Sequence, residues 1–208
     1  GGLGITSISA GIMLAMGKKL DLKSRRLIQE ASNLDSNRGA VRFIRSVLRT
    51  TLIFELTGAI LSFFVFVQDY PPLRAMGISL FHSVAAFNNS GFDILGNYQN
   101  LIPYQNSVML NLTTCGLIFF GGIGFLVIRE MAQHKLKWRK YSMHAKVVLS
   151  VSGVLLLVGT LVYMIFEYNN PMTLGNMSFG NKLANAFFFS ASTRTAGFAS
   201  FGVGELSP

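Results

Sequence analysis

Phe87-Asn88-Asn89-Ser90-Gly91-Phe92 and Thr193-Arg194-Thr195-Ala196-Gly197-Phe198 decide the fold of this chain. Each follows an apolar stretch too short to cross a bilayer, Ala75 to Phe87 in the first case and Lys182 to Ser192 in the second. Each stretch makes about three turns of helix at 3.6 residues per turn. A short apolar helix running into a small, polar, glycine-bearing turn is what a re-entrant loop requires. The helix dips into the membrane, and the irregular return strand is buried in protein or lines a water-filled cavity. Glycine in that strand opens backbone conformations closed to other residues. Taken singly, either stretch reads equally well as an outer loop with an amphipathic surface helix.

Repetition favours the re-entrant reading. Gly197 follows Gly91 by 106 positions, and the same offset lays Phe187 on Phe81, Ala191 on Ala85 and Phe198 on Phe92. At another offset, Gly1-Gly2-Leu3-Gly4-Ile5 matches Gly121-Gly122-Ile123-Gly124-Phe125. Gly121 follows Gly91 by thirty positions. The unit is therefore a span, a re-entrant loop and a glycine-bearing span. One unit is complete, from about Arg45 to Ile128, with half a unit on either side.

Composition agrees. Of 208 residues, 50% are hydrophobic and 13% charged, and 18 are Phe. A soluble domain carries about 25% charged residues. Mean hydropathy is +0.45. Crossing a bilayer takes about 20 apolar residues, and three runs suffice: roughly Thr50 to Gln68, Ser107 to Ile128 and Val147 to Phe166. Gly1 to Met16 reads as the tail of an earlier span; no basic region precedes it, as one would a signal peptide. The chain reads as an internal piece of a longer protein.

The net charge of +9 does not point to nucleic acid, because the basic residues fall in blocks between apolar runs. Lys18, Lys19, Lys23, Arg25, Arg26, Arg38, Arg42, Arg45 and Arg49 precede the first full span. Arg129, Lys135, Lys137, Arg139, Lys140 and Lys146 separate the second from the third. The other two loops hold only Arg74, Lys182 and Arg194. Excess Lys and Arg mark the cytoplasmic side, and the alternation works for every span. Trp138 and Tyr141 inside, with Tyr70, Tyr98 and Tyr104 outside, suit interfacial belts.

The fold class is thus an all-α membrane protein of repeated helix–pore-loop–helix units. Residues 1–17 end the second helix of a first repeat, and 18–45 form a basic cytoplasmic linker. Residues 46–128 are a complete second repeat, 129–146 a basic cytoplasmic loop, and 147–208 the first helix and pore loop of a third.

Such loops suit cations. The C-terminal end of each short helix carries about half a negative elementary charge toward the membrane centre. Return strands around one axis offer rings of carbonyl oxygens that replace a cation's water shell, and about four strands close a ring. Gly121, Gly122 and Gly124 are not a phosphate loop, since no Gly-Lys-Ser/Thr follows. Small residues inside a span let helices approach closely, and helix packing is their reading. Asp93 either raises cation concentration at the mouth or caps a turn. Glu55, the acidic residue in mid-span, is a functional candidate by position. A structural hydrogen bond or ion pair is favoured for it over a place in the ion path. His82, His134 and His144 have no ligand spacing with each other or with Cys115. No nucleophile–base set suggests an enzyme.

Phe81 to Asp93 and Ser192 to Phe198 resemble the second and third pore loops of the Ktr/Trk/HKT superfamily of potassium transporters, and most closely the membrane subunit of bacterial Ktr systems. The resemblance covers nearly the whole chain. It implies four repeats around one pore, each giving one filter strand with a single glycine. Gly91 and Gly197 would be the second and third filter glycines. The carbonyls of Asn89, Ser90 and Gly91 and of Thr195, Ala196 and Gly197 would line the filter. Potassium would be the only metal, held by those carbonyls. The resemblance further implies a homodimer in the bacterial cell membrane, in contact with lipid. It also implies a cytoplasmic nucleotide-binding regulatory ring, so the nucleotide sits on a separate subunit and the membrane chain needs no cofactor. Lys135, Lys137 and Arg139 are candidates for contact with that ring. The first and fourth filter strands and the gating loop fall outside the sequence. Two alternatives stand beside potassium translocation: sodium or mixed-cation passage, and a non-conducting membrane scaffold or regulatory subunit. A serine at a filter glycine accompanies sodium preference in the plant branch, so Gly91 and Gly197 favour potassium.

The topology is testable. Cysteines introduced near Lys137 are expected to react with an impermeant thiol reagent only from the cytoplasmic side, and cysteines near Asn100 only from outside; the reverse labelling overturns the scheme.

Overall fold

The computed structural model describes residues 40–97, 99–135 and 137–207. The expected end of a first-repeat helix, its Gly1 to Ile5 cluster and the linker up to residue 39 lie outside the described residues. The described residues form six α-helices: α1 Ala40–Phe66, α2 Pro72–Phe87, α3 Val108–Gly122, α4 Phe125–His134, α5 Met143–Glu167 and α6 Phe179–Thr195. No strand occurs among the described residues. The chain divides into two units between Phe54 and Glu55. Of the first, only the opening part of α1 is described.

α1 runs unbroken from Ala40, several residues into the segment read as linker. Nothing between Val41 and Arg49 stops it: the stretch has neither Gly nor Pro, and Arg and Leu are good helix formers. Its membrane-length part is Phe43–Phe66, and α5 is the second helix long and apolar enough to cross. Pro71 and Pro72 separate α1 from α2. Pro72 occupies the first helical position, where its missing N–H and fixed φ cost nothing. α2 therefore begins three residues before the expected Ala75. Ser107 starts α3 by accepting from the Leu110 N–H (3.4 Å), and Ser142 starts α5 by accepting from the Ala145 N–H (3.2 Å).

The expected span Ser107 to Ile128 is not one straight rod. α3 and α4 meet at 104°. The last α3 bond is donated by Ile123 N–H to the Phe119 carbonyl, and the first of α4 by Ile128 N–H to the Gly124 carbonyl. Between them Gly124 takes φ +86°, ψ 149°, a region reserved almost wholly to glycine. A Cβ there would meet nothing within 4 Å. Gly124 makes the bend.

α6 lies between α5 and α3, and α2 packs on α3. Leu56, Ile60 and Phe64 on α1, and Val154, Leu157, Leu161 and Ile165 on α5, are exposed. A helix that shows apolar residues outward is solvated by hydrocarbon.

One docking device holds each short helix to the long helix before it. A Cβ on Gly58 of α1 would come within 2.5 Å of Ser83 Oγ on α2, and Ser83 Oγ donates to the Glu55 carbonyl three residues earlier (2.6 Å). In α5 and α6, a Cβ on Gly159 would strike Ser190, and Ser190 Oγ donates to the Leu156 carbonyl, again three residues earlier (3.0 Å). The missing side chain bares a backbone carbonyl, and the serine hydroxyl enters and bonds it. His82 adds a tie from α2 to α3, with Nε2 2.9 Å from Thr114 Oγ1. Thr114 gives its own proton to the Leu110 carbonyl (2.8 Å), so it accepts from His82 and the imidazole proton sits on Nε2.

Gly58→Val and Gly159→Val are expected to destabilise the purified protein by about 1–3 kcal/mol each through overpacking. Gly153→Ala, in α5 with nothing within 4 Å of its Cβ, is expected to be neutral or stabilising. Thermal unfolding in detergent reads the difference; equal melting temperatures would remove the docking role.

Candidate functional site

The two short helices α2 and α6 end in tightly wound turns. At α2, the Ser90 N–H and hydroxyl both donate to the Ala85 carbonyl (3.0 and 3.1 Å). At α6, the N–H groups of Ala196 and Gly197 both donate to the Ser192 carbonyl (2.8 and 3.0 Å), and Ser192 Oγ donates to the Phe198 carbonyl (2.5 Å). α6 continues through Thr195, so Thr193, Arg194 and Thr195, expected in the return strand, form its last turn.

Beyond these turns both glycines are left-handed, Gly91 at φ +67° and Gly197 at φ +81°. Asn89 is left-handed too, at φ +53°; asparagine tolerates that region better than most residues. The two strands touch. A Cβ on Gly91 would strike the Ala196 carbonyl oxygen and lie 3.1 Å from the Gly197 carbonyl carbon. A Cβ on Gly197 would enter open space. Among the described residues, no hydrogen bond reaches the carbonyls of Asn89, Ser90, Thr195, Ala196 or Gly197. The Gly91 carbonyl differs: it accepts from Asn100 Nδ2 (3.2 Å).

The glycines under the loops set their depth. A Cβ on Gly121 would strike the Phe87 carbonyl at the end of α2. A Cβ on Gly122 would lie 3.2 Å from Arg194 Nη2, 3.2 Å from the Asn89 side-chain amide and 3.9 Å from Thr195 Oγ1. With its amide nitrogen turned inward, Asn89 donates to the Ala86 and Ile118 carbonyls (3.0 and 3.2 Å). Arg194 sits at the C-terminal end of α6, where its charge offsets the negative helix end. Its Nη1 is buried with no hydrogen-bond partner among the described residues.

Phe198 packs the loop after α6 onto α2. Its ring centroid lies 5.3 Å from that of His82, edge on, and His82 meets Phe66 at 5.8 Å. Phe92, at the same place in the other loop, is 70% exposed. Of the acidic residues, Asp93 Oδ1 accepts from the Leu95 N–H (3.0 Å), which is a turn cap. Glu55 Oε1 accepts from Asn88 Nδ2 (3.3 Å), so the geometry carries its hydrogen-bonding role.

Lys135, Lys137 and Arg139 are exposed, in the turn between α4 and α5. That turn is organised by Glu130, which accepts from both the Ser142 hydroxyl (2.7 Å) and its N–H (2.8 Å), and by Tyr141, whose hydroxyl donates to the Lys135 carbonyl.

Several residues had no signal in the sequence. Ser83, Ser190 and Ser192 are ordinary helix residues until the facing carbonyl is known. Asn100 lies in a loop without pattern. Glu167, 3% exposed, accepts from Thr173 Oγ1 (2.6 Å), Asn170 Nδ2 (2.8 Å) and the Ser207 N–H (2.8 Å). It ties the turn before α6 to the segment after the third loop.

Comparison with known proteins follows the same loops. The chain is 34% identical over 204 residues to Ktr system potassium uptake protein B of Vibrio alginolyticus, covering 96% of this chain and 44% of the relative. It is 34% identical over 208 residues to potassium/sodium uptake protein NtpJ of Enterococcus hirae, covering 100% and 45%. It is 33% identical over 206 residues to Ktr system potassium uptake protein B of Bacillus subtilis, covering 99% and 46%. The chain spans under half the length of each. The TrkH family, described as cation transport protein, matches residues 1–208. Two touching glycine-bearing loops on an all-helical membrane scaffold, with a family match from end to end, make this chain a member of the TrkH cation transport protein family.

Proposed function

We propose that this chain contributes two strands of a potassium selectivity filter to a transporter that moves the ion across the bacterial cell membrane. The observation that carries the reading is the pair of left-handed glycines on strands in contact, with a run of carbonyls that take no hydrogen bond among the described residues. A carbonyl that takes no donor keeps its lone pairs free to replace the water shell of a dehydrated cation. Asn89, Ser90, Thr195, Ala196 and Gly197 offer such oxygens. The Gly91 carbonyl, bonded to Asn100, is a weaker candidate than its neighbours. Gly121 and Gly122 act in this reading as the floor on which the loops rest.

Sodium passage is the second reading. The specific observation for it is the Enterococcus hirae relative, named a potassium/sodium uptake protein. The names of the Ktr system relatives support work with further components. We take these to be a second copy of the membrane chain and a cytoplasmic nucleotide-binding ring. Lys135, Lys137 and Arg139, exposed at the bend between α4 and α5, are the residues proposed to meet that ring.

The glycines give the test, in a complete transporter that carries this sequence, in cells without their own uptake systems. Gly197→Ser is expected to reach the membrane and to lower the preference for potassium over sodium by about tenfold, the equivalent of roughly 1.4 kcal/mol. Gly91→Ser is expected to do more damage, since its Cβ strikes the Ala196 carbonyl as well as demanding a left-handed backbone. Normal expression with unaltered preference in both variants removes these loops from the filter and favours a non-conducting scaffold.

Charge reversal of Lys135, Lys137 and Arg139 together is expected to weaken binding of the purified ring by about tenfold or more while basal potassium flux persists. Unchanged binding leaves the three as topology anchors only.

A further inference from the structure

We propose that Asn100 is a positioning residue that fixes the register of the two filter strands, an inference that rests on the filter reading above. Asn100 lies outside both loop motifs, nine residues after Gly91. Its side chain bonds the two loops in opposite senses. Nδ2 donates to the Gly91 carbonyl (3.2 Å), and Oδ1 accepts from the Ala199 N–H, two residues past Gly197 (3.1 Å). The backbone seconds the link: the Leu101 N–H donates to the Ala199 carbonyl (3.1 Å), and Leu101 is fully buried. Ala199 is thus held at both its N–H and its carbonyl, and Gly91 at its carbonyl, by one dipeptide.

The chemistry selects asparagine. One short side chain must donate on one side and accept on the other, which a neutral amide does and a carboxylate does not. The backbone at Asn100 is left-handed, φ +51°, which asparagine, aspartate and glycine accept more readily than other residues.

Register matters because neighbouring strands coordinate one ion only when their carbonyls stand at one height. The contact between Gly91 and the Ala196 carbonyl brings the strands together, but a contact of that kind permits sliding. The amide bridge removes the slide. It also draws the Gly91 carbonyl toward the Asn100 amide, leaving the carbonyls on its N-terminal side to face the ion.

The experiment uses a complete transporter carrying this sequence, with uptake kinetics compared at equal protein in the membrane. Asn100→Gly removes the side-chain bonds to Gly91 and Ala199, together with the one that Oδ1 accepts from the Leu101 N–H (2.9 Å), and keeps the backbone conformation. Asn100→Asp keeps the bond from Ala199 and loses donation to Gly91. Both are expected to raise the KM for potassium and the potency of sodium as competitor by about threefold to tenfold, the weight of one or two hydrogen bonds. Maximal rate is expected to change less. Gln99→Ala, in the same loop, serves as control, and Gly197→Ser reports on the filter itself. If Gly197→Ser alters the preference while both Asn100 variants stay within about twofold of the parent, the filter reading stands and the register role of Asn100 is overturned. If Gly197→Ser also leaves the preference unchanged, the filter reading falls and the inference with it. Should neither Asn100 variant accumulate in the membrane, Asn100 serves folding instead, and the inference is likewise overturned.

Discussion

A short helix that enters a membrane and turns back must be held from the side, because lipid offers its polar end nothing. In this protein that hold is a serine hydroxyl bonded to a carbonyl beside a glycine. Ser83 reaches the Glu55 carbonyl past Gly58, and Ser190 reaches the Leu156 carbonyl past Gly159. The bond is neutral and at least partly buried, in surroundings where hydrogen bonds are electrostatically stronger than in water. The glycine gives the approach and the serine gives the direction. Everything downstream inherits its position from this dock. The end of each short helix sets where its turn falls, and the turn sets where the left-handed glycine stands.

The bend in the second predicted span belongs to the same economy of space. Gly121 and Gly122 let α3 come up beneath the Phe87 carbonyl and beside Asn89 and Arg194. A straight continuation would have carried the helix onward as a span. Instead Gly124 turns the chain by 104°, and α4 leads to the basic turn. Sequence reading grouped the three glycines as one packing cluster because spacing alone does not separate a glycine needed for approach from one needed for its dihedral. Only a facing atom within reach, or its absence, tells the two apart.

Much of the rest was legible. Apolar runs, the sidedness of Lys and Arg, and the offset between Gly91 and Gly197 fixed an all-helical membrane chain with two short helices, because bilayer thickness and backbone satisfaction leave few alternatives. The Gly-Phe ends located the loops. Hydrogen bonds that cross between elements were not legible. Asn100 and Glu167 act through partners 99 and 40 residues away, Ala199 and Ser207. No periodicity carries such pairings. The helical reach of α6 through Thr195 was also misjudged, since a Ser-Thr-Arg-Thr run reads as loop by propensity, while packing against α3 and α5 sustains the helix.

The contact between the loops is head-to-tail. The third loop offers the Ala196 carbonyl to Gly91 and the Phe198 ring to His82; the second loop offers neither in return. A heterologous contact leaves one used and one unused surface on each partner, and it closes into a ring when its rotation permits. The unused surfaces are present and complementary. Gly197 has open space where Gly91 has a neighbour's carbonyl, and Phe92 is exposed where Phe198 is buried. A further strand on the Gly197 side would bring the carbonyl that Gly197 lacks, and a further pore helix on the Phe92 side would bring its aromatic seat. The proposal of several strands around one axis asks for such partners, and the open side of Gly197 and the exposed ring of Phe92 are where it asks for them.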